Sequence, residues 1–87
     1  MLRIRRSANR NVVLTISGRL QVDNVDELSG LLRAESDQRG VILDLTDLVI
    51  TDGDAVRFLC RCERDRVVLR NCPRYIGAWM ARERARQ

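Results

Sequence analysis

The chain contains no histidine and no lysine among its 87 residues. Without histidine there is no imidazole base, no Ser-His-Asp arrangement and no His-based metal site. Without lysine there is no Schiff-base nucleophile and no Gly-Lys-Ser/Thr phosphate loop. Proline occurs once, at Pro73, and only Phe58, Tyr75 and Trp79 are available for stacking on bases. No apolar run approaches the ~18 residues of a membrane span. Met1 is followed by alternating arginines, not by the apolar core of a signal peptide. These absences predict a cytoplasmic protein without membrane insertion. Three cysteines, an odd number, fit a reducing compartment better than a disulfide framework.

All 16 basic residues are arginine, and charge is segregated along the chain. Residues 1–19 carry five arginines and no acid. Residues 20–56 carry two arginines against nine acids, a net of −7, and residues 57–87 nine against three, a net of +6. This predicts a bipolar surface, solvated and partly paired with itself. At 45% apolar residues the chain can build one small domain over residues 1–87. A deep substrate pocket with a full catalytic apparatus would exceed its size, so an enzyme is not expected.

Residues 41–62, VILDLTDLVITDGDAVRFLCRC, organise the rest. VILDL reads as a strand over residues 41–45, buried on both faces. An acidic loop follows, with Asp47, Asp52 and Asp54 around Gly53. Helical spacing then places Ala55, Phe58, Leu59 and Cys62 on one face. Upstream, residues 2–6 alternate apolar and basic as an edge strand, and residues 7–10, with Asn9, form a turn. Residues 12–17 form the second strand, with Leu14 and Ile16 on one face, Val13 and Thr15 on the other, and Gly18 ending it. A helix begins with Asn24 as N-cap and Glu27 three residues on, and buries Val25, Leu28, Leu31 and Leu32. Gly40 closes the connection to the central strand. Downstream, residues 67–69 form a short strand and Pro73 opens the first turn of a last helix. Ile76, Trp79, Met80 and Glu83 mark one stripe of that helix, and residues 82–87 fray. The expected fold is α/β: a small mixed sheet of about four strands with three helices. An N-terminal hairpin leads into a parallel βαβαβ run.

Asp47, Asp52 and Asp54 lack the ligand order of a calcium loop, and capping of the second helix is the simpler role for Asp52. Cys60 and Cys62 lie about 200° apart on a helix and cannot share one ion. Cys62 reads as core and Cys72 as packing against the last helix, so no metal or other cofactor is expected. Tyr75 and Trp79, with Arg74, Arg82 and Arg86, are the only candidates for a nucleic-acid platform. The simpler reading packs Trp79 on the sheet, and the acidic middle of the chain opposes nucleic acid.

The element order and four segments resemble the STAS domain, the fold of bacterial anti-sigma factor antagonists. The segments are ISGRL at the end of the second strand, VILDLTDLVITD, DGDAVRFL and LRNCP. Members of that family carry Asp-Ser-Ser/Thr-Gly-Leu before the second helix. Asp52 matches the Asp, Gly53 the phosphoacceptor Ser, Asp54 the Ser/Thr, Ala55 the Gly and Val56 the Leu. Only Asp52 keeps the motif identity, and the chain looks shorter at its C-terminus than many members. The resemblance implies a non-catalytic protein-binding module for transcription regulation. With glycine at position 53, it implies no serine phosphorylation there. Fixed charge on Asp52 and Asp54 stands in, about −1 each against −1.5 to −2 for phosphoserine. Asp52, Gly53 and Asp54 with Arg57, Arg61 and Arg64 of the second helix are the expected partner-binding residues. The expected partner is an anti-sigma factor or another complex subunit, as for STAS-like components of transporters. The alternatives are a basic nucleic-acid-binding module and a homodimer formed through the edge strand or last helix.

Overall fold

The computed structural model describes residues 2–8, 10–35 and 40–86, without the side chain of Ile50. Its elements are β1 (Leu2–Ala8), β2 (Val12–Leu20), α1 (Val22–Glu35), β3 (Val41–Thr51), α2 (Gly53–Arg64), β4 (Val68–Arg70) and α3 (Arg74–Ala85). They form one four-stranded sheet in the order β1-β2-β3-β4. The β1–β2 pair is antiparallel, and β2–β3 and β3–β4 are parallel. The expected mixed α/β sheet with three helices is therefore the fold of this chain.

Sequential strand order with two crossovers of the same hand lays α1 and α2 on one face of the sheet. Burial follows that layering. Val12, Leu14 and Ile16 of β2, and Val41, Leu43 and Leu45 of β3, are buried beneath the helices. Val13, Thr15, Ile42 and Asp44 on the opposite face are only half-buried. The strand at residues 41–45 is therefore not buried on both faces: no helix covers its second face. Leu28 and Leu32 of α1, Val56 and Leu59 of α2, and Ile76 and Met80 of α3 complete the core. Leu31, expected in the α1 stripe, is exposed.

β3 departs most from expectation. It continues through Thr51, so the stretch expected as an acidic loop is strand, and Asp52 alone separates it from α2. Two register irregularities make the extension possible. Thr15 pairs with Asp44 but Ser17 with Asp47, and Gly18 pairs with Leu48 but Arg19 with Ile50. Each step gives β3 one residue more than β2, as in a β-bulge. At the first step Asp44 Oδ1 accepts from the Thr46 backbone N–H at 3.0 Å and from the Thr46 hydroxyl at 2.6 Å. At the second, Gly18 has φ 90, a conformation that costs little without a Cβ. Gly18 thus lies inside β2, which runs on to Leu20, instead of ending it.

Other boundaries shift as well. β1 extends through Ala8, past the expected turn start, and Asn9 lies outside the described residues. β4 is Val68–Arg70, one residue later than expected. Pro73 is the N-cap of α3, not its first helical residue, and α3 holds to Ala85 where fraying was expected. Gln87 lies outside the described residues.

α2 ends in a Schellman motif. Val67 N–H donates to Cys62 O at 2.9 Å and Arg66 N–H to Glu63 O at 3.1 Å. The left-handed residue is Arg66, at φ 70, where glycine is usual. Arg66→Gly should therefore raise stability by about 0.5–1 kcal/mol. Gly18→Ala should lower it by about 1–2 kcal/mol. Urea unfolding of the two variants checks both signs.

Candidate functional site

Asp52 lies where β3 meets α2, and its carboxylate serves two helices. Oδ1 accepts from Ala55 N–H at 2.9 Å, capping α2. Oδ2 accepts from Val22 N–H at 3.0 Å, at the first residue of α1. The expected cap of α2 is therefore present, and the same side chain also holds the start of a helix 30 residues earlier. Asn24 is not the N-cap of α1, because that helix begins at Val22. Asn24 instead occupies the third helical position, and its Oδ1 accepts from Gln21 N–H at 3.1 Å. Only the return half of a capping box is present, from the Asn24 amide back to Gln21 N–H, while Asn24 N–H donates to the Gln21 backbone carbonyl at 2.8 Å.

Gly53 follows, half-buried. A Cβ built there would stand 3.4 Å from Arg57 Nη1, the far end of a flexible side chain. Neither space nor backbone conformation demands glycine at this position. Asp54 is next, its side chain 58% exposed, hydrogen-bonded to Arg57 Nη2. Arg57 also faces Glu83 of α3 at 3.7 Å, and Glu83 is the one buried charged residue among those described. The hydrogen bond to Asp54 raises the Arg57 pKa further, so the guanidinium is a fixed cation. Asp54, Arg57 and Glu83 thus form a charged line from the start of α2 to α3.

Arg61 and Arg64 are exposed, as expected. The Arg61 guanidinium lies 5.8 Å from the centroid of the Phe58 ring. Arg61 borders a groove of about 390 Å³ between α1 and α2, floored by Val25, Leu32 and Cys62, whereas Arg64 lies outside it. Arg57 differs from the other two: it is half-buried and already paired. Helical spacing indicated the outward stripe but not the acid that α3 places beside it.

The three loop carboxylates do not converge. Asp52 is occupied with backbone N–H groups, Asp54 with Arg57, and Asp47 is exposed on the sheet. Among the described residues no His/Cys/Asp/Glu group could hold a metal ion. The carboxylate that sequence reasoning missed is Asp44. Besides Thr46 it accepts from Asn71 Nδ2 at 3.3 Å and faces Arg70 Nη2 at 3.6 Å. The Thr46 hydroxyl above all, with help from Asn71 and Arg70, holds its carboxyl below the usual pKa. Only the single acid inside an apolar strand run could have drawn attention to it.

Burial accounts for the cysteines. Cys60 and Cys62 are both buried on α2, and Cys72 is half-buried. Burial raises all three thiol pKa values, that of Cys62 to about 12, so none is an activated nucleophile. Trp79 packs against the core, whereas Tyr75 is half-exposed with its hydroxyl donating to Val49 O. The two rings do not make one exposed platform. No helix of the described residues is long and apolar enough to cross a membrane. No protein-family model and no curated protein matches this chain.

Asp52→Ala removes the acceptor from two helix starts. It should lower stability by about 1–3 kcal/mol, more than the ~1 kcal/mol of an ordinary cap, in equilibrium unfolding. Asp44 makes a pH-dependent contribution. Its carboxyl is lowered in the folded chain, so this stabilisation is complete above the ordinary carboxyl pKa of about 4. It disappears as pH falls through the folded value. Asp44→Asn should therefore be less stable than wild type at neutral pH, and the difference should close under strong acid. Urea midpoints measured across pH check this.

Proposed function

We propose that this chain is a non-catalytic protein-binding module of the STAS-like, anti-sigma-antagonist type, held in a single constitutive binding state. Its partner is an anti-sigma factor or another complex subunit with a basic patch. The observation that carries this reading is the start of α2. There Gly53 stands where the resembled family has its phosphoacceptor, and Asp54 presents an exposed carboxylate one residue on.

A phosphoserine at a helix start gains from the helix dipole and changes what a partner meets. Gly53 has no hydroxyl to receive phosphate, and Asp54 supplies permanent charge in nearly the same place. The neighbouring threonine hydroxyls have internal acceptors: Thr46 bonds Asp44 at 2.6 Å and Thr51 reaches Asp52 O at 3.5 Å. Arg61 and Arg64 extend the surface along α2 with opposite charge. A complementary partner would present a basic patch followed by acids, which sets register more than affinity.

The tagged chain serves as bait, and affinity for the retained protein is measured by calorimetry. Asp54→Lys should weaken it by about 1–3 kcal/mol if the contact is desolvated. Prior incubation with ATP and cell extract should leave wild-type affinity unchanged. Equal affinity of wild type and Asp54→Lys would remove this loop from the interface. Stoichiometric phosphate on Thr51 or Thr46 in cells would end the constitutive reading.

A further inference from the structure

The helices cover one face of the sheet, and the other carries a regular charge pattern. Registered pairs set Arg3 beside Ser17 and Ser17 beside Asp47. The next row reads Arg5, Thr15, Asp44 and Arg70. Along the strands this gives a basic column on β1, a hydroxyl column on β2 and an acidic column on β3. A shallow depression of about 460 Å³ lies over Arg3, Arg5, Thr15, Ser17 and Asp47. The following row is Ser7, Val13, Ile42 and Val68, and Val68 is 54% exposed.

We propose that this open face binds a second copy of the chain, sheet against sheet. The occupant follows from the charge order. A two-fold axis running along β2 superposes the β1 column of one copy on the β3 column of the other and keeps the rows aligned. Arg3 then meets the partner's Asp47, and Arg5 meets the partner's Asp44. Thr15, Ser17 and Val13 meet their own copies, so hydroxyls face hydroxyls and Val13 packs on the partner's Val13. Aligned sheets pack about 10 Å apart, within reach of arginine and aspartate side chains. Sheet twist confines the match to the few rows around the point where the two sheets cross. Arg3 and Asp47 are exposed, and neither side chain has a hydrogen bond or ion pair among the described residues. Asp44 is already engaged by its own chain, so the Arg3–Asp47 pair is the discriminating contact. The three overlapping strands, by about six residues, offer roughly 300 Å² per copy, below the ~800 Å² of a standard interface. The dimer is therefore weak, with Kd on the order of 10–500 µM, and sensitive to salt. This assignment does not depend on the function proposed for the α2 loop.

Sedimentation of the wild type at low salt, from about 10 µM to about 1 mM, should show a monomer giving way to a dimer. Arg3→Asp and Asp47→Arg each set like charges opposite one another twice per dimer. Each should weaken self-association at least ~10-fold while circular dichroism stays unchanged. An equimolar mixture of the two variants restores both opposite-charge pairs and should dimerise like the wild type. A wild type that stays monomeric throughout overturns the proposal, whatever other acidic or basic protein that face binds. So do single variants that dimerise like wild type, or a mixture that associates no better than its components.

Discussion

Two parallel helices begin side by side at the same end of this sheet, and one carboxylate holds both. Each helix N-terminus carries the equivalent of about half a positive charge and unsatisfied N–H groups. Brought together without an anion they would repel and leave donors exposed. Asp52 answers both needs, accepting from Val22 at 3.0 Å and from Ala55 at 2.9 Å. The β2–α1 junction and the β3–α2 junction are thereby tied at one atom group. The two bulges serve the same end, since they absorb the two extra residues of β3 and let β2 and β3 finish together at the Leu20–Thr51 pair, just before both helix starts. The single identity kept from the resembled loop motif is thus the residue with a structural task in this chain.

That anchor determines what α2 can display. The helix lies against the sheet with α1 and α3 on either side. Ala55, Val56, Phe58, Leu59, Cys60 and Cys62 are all buried. The α2 residues left at the surface are the outward stripe through Asp54, Arg57, Arg61 and Arg64, with Glu63 beside it. Arg57 is partly spent on Glu83, which joins the stripe to α3. Exposed pairs of this kind add little stability, typically under about 1 kcal/mol. Their effect is to set a fixed order of charges on a surface whose backbone cannot move far.

The order of elements was legible because each carries its own hydrophobic period: two in β2, near 3.6 in α1 and α2. A hairpin followed by alternating strands and helices left few topologies open. Boundaries were less legible, and for local reasons. A bulge breaks the two-residue period, so residues 46–51 looked like loop although they are strand. Gly18 reads as a stop because glycine usually is one, yet it sits at a register step inside β2. The end of α2 has no glycine signal because Arg66 adopts the left-handed conformation itself. Asn24 and Glu27 have capping-box spacing, but the side-chain bond that forms lies three residues earlier, from Gln21 N–H to Asn24. At the site, the carboxylates and arginines of α2 were visible from spacing. The tie to Val22, the line to Glu83 and the Asp44 cluster were not, because their partners lie 26 or more residues away or on neighbouring strands.

The two surfaces lie on opposite sides of the molecule, and that separation has a consequence for binding. The α2 stripe points away from the sheet on the helical side, whereas the Arg3–Asp47 face is the sheet's other side. A dimer joined sheet to sheet would bury neither copy of Asp54 and would turn the two α2 stripes outward in opposite directions. One partner molecule could not reach both stripes, so the dimer would hold two partners apart instead of gripping one. A partner that is itself paired or clustered would gain from that arrangement through effective concentration, without any new contact. A single soluble partner would gain nothing. The weakness of the proposed sheet contact would then act as a means of control: at low concentration each chain would bind alone, and bivalent capture would arise only where the chains are locally crowded.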